Sequence, residues 1–288
     1  MKQKVSLIVP VWCNSEESWQ MTKRAIDTML DTTYENYDVI LIDDCSPLES
    51  TIDRLTEYYA RHRRINTIAQ TEVNGGSTNA VNYGITFSDA PFIQYQNNDV
   101  EFHQPGWLDH QMALFEEPGV GVVGCLMRYP QGTIQHAGAC WRDIGNHSID
   151  HIGQHQEQIK YLKEVPFVTG CGMTVRREIL ERNGGGFTVF EGYGWDDIDI
   201  QVKAKAWGYK VRVAPLASFI HYGSVSYKQR PDLASTEHMN QNKALFDDVV
   251  ITEQETIGYF KKHYYMNWAI IKVEINHFFY LLWLWTTL

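Results

Sequence analysis

Residues 91–101 read PFIQYQNNDVE, and the fold turns on that stretch. Phe92, Ile93 and Tyr95, with Gln94 and Gln96 interleaved, make an apolar run suited to a buried strand. The run stops at Asn97, Asn98 and Asp99. Two amides and a carboxylate at a strand's carboxyl end offer hard oxygen ligands. Such ligands suit Mg²⁺ or Mn²⁺, which keep an oxygen shell and share it with substrate phosphates. In open α/β sheets, ligands sit just beyond strand ends of this kind. Taken alone, the tripeptide reads as a polar turn. The stretches around it turn the reading toward a ligand site.

Upstream, Val5–Trp12 (VSLIVPVW) is nearly all apolar, as a strand covered on both faces must be. Cys13 to Glu17 ends it and caps a helix beginning near Ser18, with Trp19, Thr22, Ile26, Met29 and Leu30 at helical spacing. Tyr37–Asp43 is a second buried strand, with Asp44 to Pro47 as its turn. Thr51 to Arg63 reads as a helix and Ile65–Ala69 as a third strand. The order β-α-β-α-β with short loops predicts an α/β fold with a parallel sheet and right-handed crossovers. Glu72–Gly84 (EVNGGSTNAVNYG) follows. Gly75 and Gly76 free the backbone there, and Ser77–Asn79 opens a helix running to about Phe87. A glycine pair before a helix lets backbone N–H groups approach a phosphate or a base. The spacing is neither GxGxxG nor the Walker lysine motif, so no dinucleotide or ATPase site is expected.

Downstream, Pro105–Glu116 reads as a helix with proline in its first turn. Val120–Met127 is a strand, Tyr129–Thr133 a tight turn and Ile134–Trp141 the returning strand, so the sheet becomes mixed. Residues 142–164 are polar and histidine-rich. His147, His151 and His155 lie four apart, but no further ligand completes a zinc site and Gly153 interrupts a helix. This segment is expected to be a solvated loop serving as lid or acceptor contact. Val165–Arg176 reads as a strand kinked at Gly170 and Gly172, then a short helix Arg177–Arg182 and the break Gly184–Gly186. Phe190 to Asp199 (FEGYGWDDID) leads into a helix Ile198–Trp207. Acids at a helix start are favoured by the macrodipole alone, and Asp199 with Lys203 makes an i, i+4 pair. The sharper reading puts a glycine-and-aromatic loop, an acceptor wall, beside a general base at Asp196 or Asp197. Gly208–Ala214 and Phe219–Gly223 are further apolar segments. His221 is either a structural histidine or a neutral-imidazole ligand to the same metal as Asp99.

The bulk numbers bound the class. The chain has 288 residues, 44% hydrophobic and 21% charged, enough for one large α/β domain and an appendage. A formal charge of −10 argues against covering nucleic-acid phosphates. Cys13, Cys45, Cys125, Cys140 and Cys171 show no CxxC and read as reduced thiols of a cytoplasmic protein. The first apolar run is a strand and not a signal peptide. From Asn267 onward, Trp268, Ile271, Ile275, Phe278, Leu282 and Trp285 mark one helical face. The uncharged stretch there falls short of the ~20 residues a bilayer span needs. It is expected to dock on the domain or on a second subunit, or to make a peripheral contact at the inner face of a membrane.

From Val5 to about Ser226, these stretches resemble family 2 glycosyltransferases of the GT-A fold. Ile8–Trp12 with Asn14 resembles the opening nucleotide-binding strand and loop. Asp43-Asp44-Cys45-Ser46 resembles an Asp-Asp-Gly-Ser turn with Cys45 in place of glycine. Asn74-Gly75-Gly76 with Asn79, Asn82 and Gly84 resembles the family's Asn/Gly-rich helix start. Asn97-Asn98-Asp99 is similar to a DxD-type motif whose first acid is Asn. Gly132–Gly138 (GTIQHAG) is similar to a hairpin of bacterial sugar transferases, and Trp195–Asp199 resembles the Glu-Asp catalytic motif with Asp196 for Glu.

The resemblance implies a domain over residues 1–230, with a nucleotide-binding half 1–100 and an acceptor half 101–230, and a helical extension 231–288. It implies donor contacts from Pro10, Val11, Asn14, Asp43, Asp44, Asn74, Gly75, Asn79, Asn97, Asn98 and Asp99. It implies acceptor contacts from Gly170, Tyr193, Gly194 and Trp195, and Mn²⁺ or Mg²⁺ held by Asp99 and His221. Asp197, beside Asp196, would deprotonate the acceptor hydroxyl, giving inversion. The donor would be a UDP- or dTDP-sugar and the acceptor a glycan or a lipid-linked glycan. The QxxRW motif of processive synthases is missing, so addition of single sugars is expected. The alternatives are a sugar nucleotidyltransferase and a non-catalytic binding module of the same fold. Against the first, the loop Cys13–Glu17 is acidic where a triphosphate site wants Arg or Lys.

Overall fold

The computed structural model describes residues 2–143, 146–149, 153–154, 164–190 and 194–223. The extension 231–288, Tyr193, His151 and His155 lie outside the described residues.

The first half follows the expected alternation. It runs β1 (Val5–Val11), α1 (Glu16–Leu30), β2 (Tyr37–Asp43), α2 (Thr51–Tyr59), β3 (Ile65–Gln70), α3 (Ser77–Ile85) and β4 (Phe92–Tyr95). Helix α1 starts two residues ahead of expectation because Ser15 and Ser18 form a reciprocal capping box. Every residue of β1 is buried. Its side chains alternate between two cores. Leu7 and Val9 join Trp19, Ile26, Met29 and Leu55 on the face covered by α1 and α2. Ile8 joins Ile40, Ile42, Ala80, Val81 and Ile85 on the opposite face, covered by α3. The result is helix–sheet–helix layering, which explains the unbroken apolar runs.

The second half departs more from the sequence expectation. It comprises β5 (Val100–Phe102), α4 (Trp107–Ala113, continued by a 3₁₀ turn Leu114–Glu116), β6 (Val120–Arg128), β7 (Ile134–His136), β8 (Ala139–Asp143), β9 (Asn146–Ile149), β10 (Met173–Arg176), α5 (Arg177–Arg182), α6 (Asp196–Ala206) and β11 (Lys210–His221). The single strand expected over Ile134–Trp141 is two, because Gly138 takes φ +95° and turns the chain out of the main sheet. β8 then pairs with β9 in a separate hairpin. His147 therefore lies in a strand, and the helical spacing of the histidines does not apply. The strand expected over Val165–Arg176 shrinks to β10, with a lone bridge from Phe167 to Ala139 ahead of it. The two segments expected at Gly208–Ala214 and Phe219–Gly223 fuse into β11, whose register slips between Ala214 and Ser218 around Pro215.

The main sheet runs β3-β2-β1-β4-β10-β6-β11-β5, with β7 beside β6. Pairings β1–β2, β2–β3, β1–β4 and β6–β11 are parallel, while β10 is antiparallel to both neighbours. Thus β3, β2, β1, β4, β6 and β11 all point one way. Strand order reverses at β1, between β2 and β4, which opens the crevice where such sheets bind ligands. Because β10 and β5 run the opposite way, their leading ends reach the same edge. That edge collects Val11–Asn14, Asp43–Cys45, Asn97–Asp99, Gly170–Gly172 and His221. Among the described residues, no helix is long and apolar enough to cross a membrane.

Candidate active site

The donor side is built on the carboxyl ends of β1 and β2. The Asp44 N–H donates to Val11 O at 2.8 Å, and the Cys13 N–H donates to Ser46 Oγ at 2.8 Å, tying the two loops together. Pro10 and Val11 are buried in the sheet. Asn14 lies beside the α1 cap, its N–H donating to Ser18 Oγ at 3.0 Å. Asp43 accepts from Ser46 N–H at 3.1 Å and Gln70 Nε2 at 2.7 Å. Asp44 Oδ1 accepts from Thr71 Oγ1 and Gly75 N–H, both at 3.0 Å, and Oδ2 from Gly76 N–H at 2.8 Å. Asn74 Nδ2 donates to Asp44 O at 2.9 Å, and Asn79 Nδ2 to Gly75 O at 2.6 Å. Burial pushes the Asp44 carboxyl above its ordinary value, against these donors. Asp44 thus clamps the glycine loop ahead of α3. Cys45, exposed, takes φ +52°, which accounts for the glycine that the resembling turn carries there.

Beyond β4, Asn97 hydrogen-bonds the Asp99 carboxyl, and Asn98 and Asp99 do separate work. Asn98 Nδ2 donates to Thr22 Oγ1 on α1 at 2.8 Å, anchoring the turn. Asp99 is buried, and its O accepts the Tyr222 N–H at 3.0 Å. This continues the antiparallel β5–β11 pairing, in which His221 faces Val100. His221 Nε2 consequently stands 3.2 Å from Asp99 Oδ1. Both atoms are buried, and neither has a hydrogen-bond partner. Burial raises the Asp99 carboxyl, but the adjacent His221 outweighs it and holds the group below the usual range. The other ring nitrogen, Nδ1, lies 2.7 Å from Gln135 Oε1.

This pair suits a divalent cation. Two cis ligands about 2.1 Å from an octahedral ion lie about 3.0 Å apart, close to the separation here. An oxygen and a nitrogen that face each other without a hydrogen bond are what a cation would satisfy. Among the described residues, no three His, Cys, Asp or Glu side chains surround a metal. Remaining positions would fall to waters and phosphate oxygens, as is usual for Mg²⁺.

The third group sits at the start of α6. Asp196 begins the helix, with Trp195 ahead of it at φ +78°. Asp196 Oδ2 accepts from Thr78 Oγ1 of α3 at 3.0 Å. Asp197, half-buried, accepts Gly170 N–H at 2.7 Å on Oδ2 and Ile198 N–H at 2.8 Å on Oδ1. Burial pushes the Asp196 carboxyl up to about 7, with the Asp197 charge adding and the Thr78 hydroxyl opposing. Burial also raises Asp197, against the two N–H donors. Asp199 proves to be a core residue. It pairs with Lys203 at 3.0 Å and accepts from Thr188 Oγ1 at 2.5 Å, both charged groups buried.

The segment Thr169–Gly172 joins the second and third groups. Thr169 N–H donates to His136 Nε2 at 3.1 Å, Gly170 N–H to Asp197, and Gly172 N–H to Tyr95 O at 2.9 Å. Gln111 Nε2 holds Gly172 O at 2.7 Å. Cys171 Sγ lies 3.8 Å from Gln96 Nε2, and burial, with Asp99 adding, raises its thiol. Gly170–Gly172 therefore links Asp197 to the end of β4, four residues before Asp99, and its Cys171 lies within reach of the Asp99 charge. Trp195 is buried with Ala139, Phe167, Phe190, Ile198 and Val202, so its ring belongs to a small core. Gly194 has open space at its Cα. Thr78 and Gln111 carried no sequence signal as site residues. Gln135 and His136 lay in the hairpin GTIQHAG, whose match to a family pattern was the one available pointer.

A sheet of this order, with carboxylates along this edge, defines the GT-A class. Solved structures agree in fold. A mannosyltransferase of Pyrobaculum calidifontis in complex with GDP-mannose and Mn²⁺ aligns over 84% of this chain and 63% of its own, at TM-score 0.61 and 17% identity. GalNAc-T7 with UDP, GalNAc and Mn²⁺ aligns over 76% of this chain and 44% of its own, at TM-score 0.62 and 18% identity.

The family model for glycosyl transferase family 2 matches residues 6–184, and the chain belongs to that family. The O-antigen biosynthesis protein RfbC of Myxococcus xanthus is 27% identical over 235 residues, 77% of this chain and 18% of its own. The chain spans a quarter or less of the length of the first curated relatives it matches.

Proposed function

We propose that this chain is a metal-dependent inverting glycosyltransferase. It moves one sugar at a time from a nucleotide-diphosphate donor to a hydroxyl of a glycan or lipid-linked acceptor. The observation that carries the reading is the joining of Asp197, through Gly170–Gly172, to Tyr95 at the end of the strand that leads into Asn97–Asp99.

Asp99 and His221 would hold Mn²⁺ or Mg²⁺ at the crevice beside β1 and β4. Bound there, the ion neutralises charge developing on the departing nucleotide diphosphate. The clamped loop Asn74–Gly76 and the Asp43–Cys45 turn shape the donor pocket. Asp197 takes the proton of the acceptor hydroxyl while the new C–O bond forms and the sugar–phosphate bond breaks on the opposite side of the anomeric carbon. A base in that step contributes about 10²–10⁴-fold. Its raised pKa makes it a better proton acceptor than an ordinary exposed aspartate. The buried Asp196, held by Thr78, fixes the start of α6 and so the position of Asp197.

The base of the donor is sought among uridine, deoxythymidine and guanosine, the last because the Pyrobaculum neighbour holds GDP-mannose. A thermal-shift panel of UDP, dTDP and GDP, each with and without Mn²⁺, tests base and metal together, since a ligand of the native state raises its stability. The matching nucleotide-sugars then show whether nucleoside diphosphate is released. Release of pyrophosphate from a nucleoside triphosphate and a sugar phosphate would overturn the reading in favour of nucleotidyl transfer.

A further inference from the structure

We infer that Gln135 is a positioning residue that sets the ring form and orientation of His221 for metal ligation. The inference rests on the metal reading of Asp99 and His221 above and deepens it. A histidine ligates through a nitrogen that carries no hydrogen. Which nitrogen is bare depends on what the other one meets. Here His221 Nδ1 is 2.7 Å from Gln135 Oε1. A carbonyl oxygen only accepts, so a hydrogen belongs on Nδ1, and in the neutral ring Nε2 keeps its lone pair. Nε2 is the atom that faces Asp99 Oδ1 at 3.2 Å without a hydrogen bond.

The placement follows from the topology. β7 and β11 flank β6 on opposite sides. Arg128, at the end of β6, pairs with Ile134 on one side and Ile220 on the other. Gln135 and His221 each follow one of those partners, and their side chains meet at this end of β6. Gly223 closes behind the amide, where a Cβ would lie 3.3 Å from Gln135 Nε2. The neighbour His136 turns the other way and holds Thr169. Adjacent residues of one short strand therefore serve the two sides of the site: Gln135 the metal side, His136 the segment that carries Gly170 to Asp197.

The test uses the full chain and the variants Gln135→Leu, Gln135→Glu and His221→Gln. Long-range ¹H–¹⁵N NMR of the metal-free protein reads the ring form, with His221 assigned by its loss in His221→Gln. Read at a pH where the ring is neutral, the wild type and Gln135→Glu are expected in the Nδ1–H form. Gln135→Leu is expected to shift toward Nε2–H. Mn²⁺ affinity, read by electron paramagnetic resonance with UDP and then GDP as co-ligand, is expected to fall about 10–100-fold in Gln135→Leu. It should stay within a few-fold of wild type in Gln135→Glu, which keeps the acceptor. An Nε2–H ring in the wild type overturns the inference. So does a Gln135→Glu variant that loses Mn²⁺ as Gln135→Leu does. The metal reading fails separately, if His221→Gln binds Mn²⁺ like the wild type. The ring form of the metal-free protein then still decides the part assigned to Gln135.

Discussion

Asp197 accepts the backbone N–H of Gly170 at 2.7 Å, and Gly172, two residues on, donates to the last carbonyl of the strand that leads into Asp99. The base candidate is thus tied by backbone N–H donors of one segment to the strand that leads into the metal candidate. Positioning of that kind is what places a nucleophile and a leaving group on opposite sides of a reacting carbon. The consequences can be measured.

Asp197→Asn keeps an acceptor for Gly170 and removes the base. Transfer should fall by about 10²–10⁴-fold, while nucleotide–Mn²⁺ affinity by calorimetry stays within a few-fold. Full activity in this variant would remove Asp197 from the role.

Asp99→Asn and His221→Ala each leave one half of the metal pair. With UDP or GDP present at saturation, Mn²⁺ at about 100 times its Kd should stabilise the wild type by about 2.7 kcal/mol. Either variant should lose most of that thermal shift. An undiminished shift in both would place the ion elsewhere.

The acid pair makes stability depend on pH in a stated direction. Burial, with Asp197 adjacent, raises Asp196 to about 7 in the folded chain, against about 3.9 unfolded. Between these values the folded state binds more protons than the unfolded state, so stability falls as pH rises from about 4 to 7. Asp196→Asn should flatten that part of the profile and gain on the order of 2–4 kcal/mol at pH 8. Transfer by the wild type should decline toward acid pH, beginning at a higher pH than an exposed aspartate would set, because burial raises the Asp197 carboxyl. Urea midpoints across pH, with rate profiles beside them, check both statements.

Gly84 on α3 lies against β1 and β2, where a Cβ would collide with Ile8 Cγ2 and lie 3.2 Å from Ile42 Cγ1. Gly84→Ala should cost about 1–3 kcal/mol, seen as a lower urea midpoint. An unchanged midpoint would show that helix and sheet separate there at no cost.

Cys45 takes φ +52° on the donor side. Left-handed backbone costs an L-residue roughly 1–2 kcal/mol, partly offset in a Gly variant by the greater entropy of its unfolded chain. Cys45→Gly should therefore be neutral to about 1 kcal/mol stabilising, and Cys45→Val clearly destabilising. The reverse order in thermal melts would refute the strain argument.

The sequence determined the parts whose cause is local or periodic. Apolar runs at β1, β2 and β4 must be buried on both faces, so their elements were legible, and so were the polar residues at their ends. The boundaries that failed, at Gly138 and around Pro215, depend on strand partners that local pattern does not name. Only the tertiary structure decided that His221 meets Asp99, because antiparallel pairing of β5 with β11 sets that register. It likewise buried Asp199 with Lys203, placed Trp195 in a small core and brought Gln135 to the histidine ring. Chain chemistry chooses which groups can bind or ionise; strand order and direction choose which of them touch, since contacts between distant segments follow from the sheet as a whole.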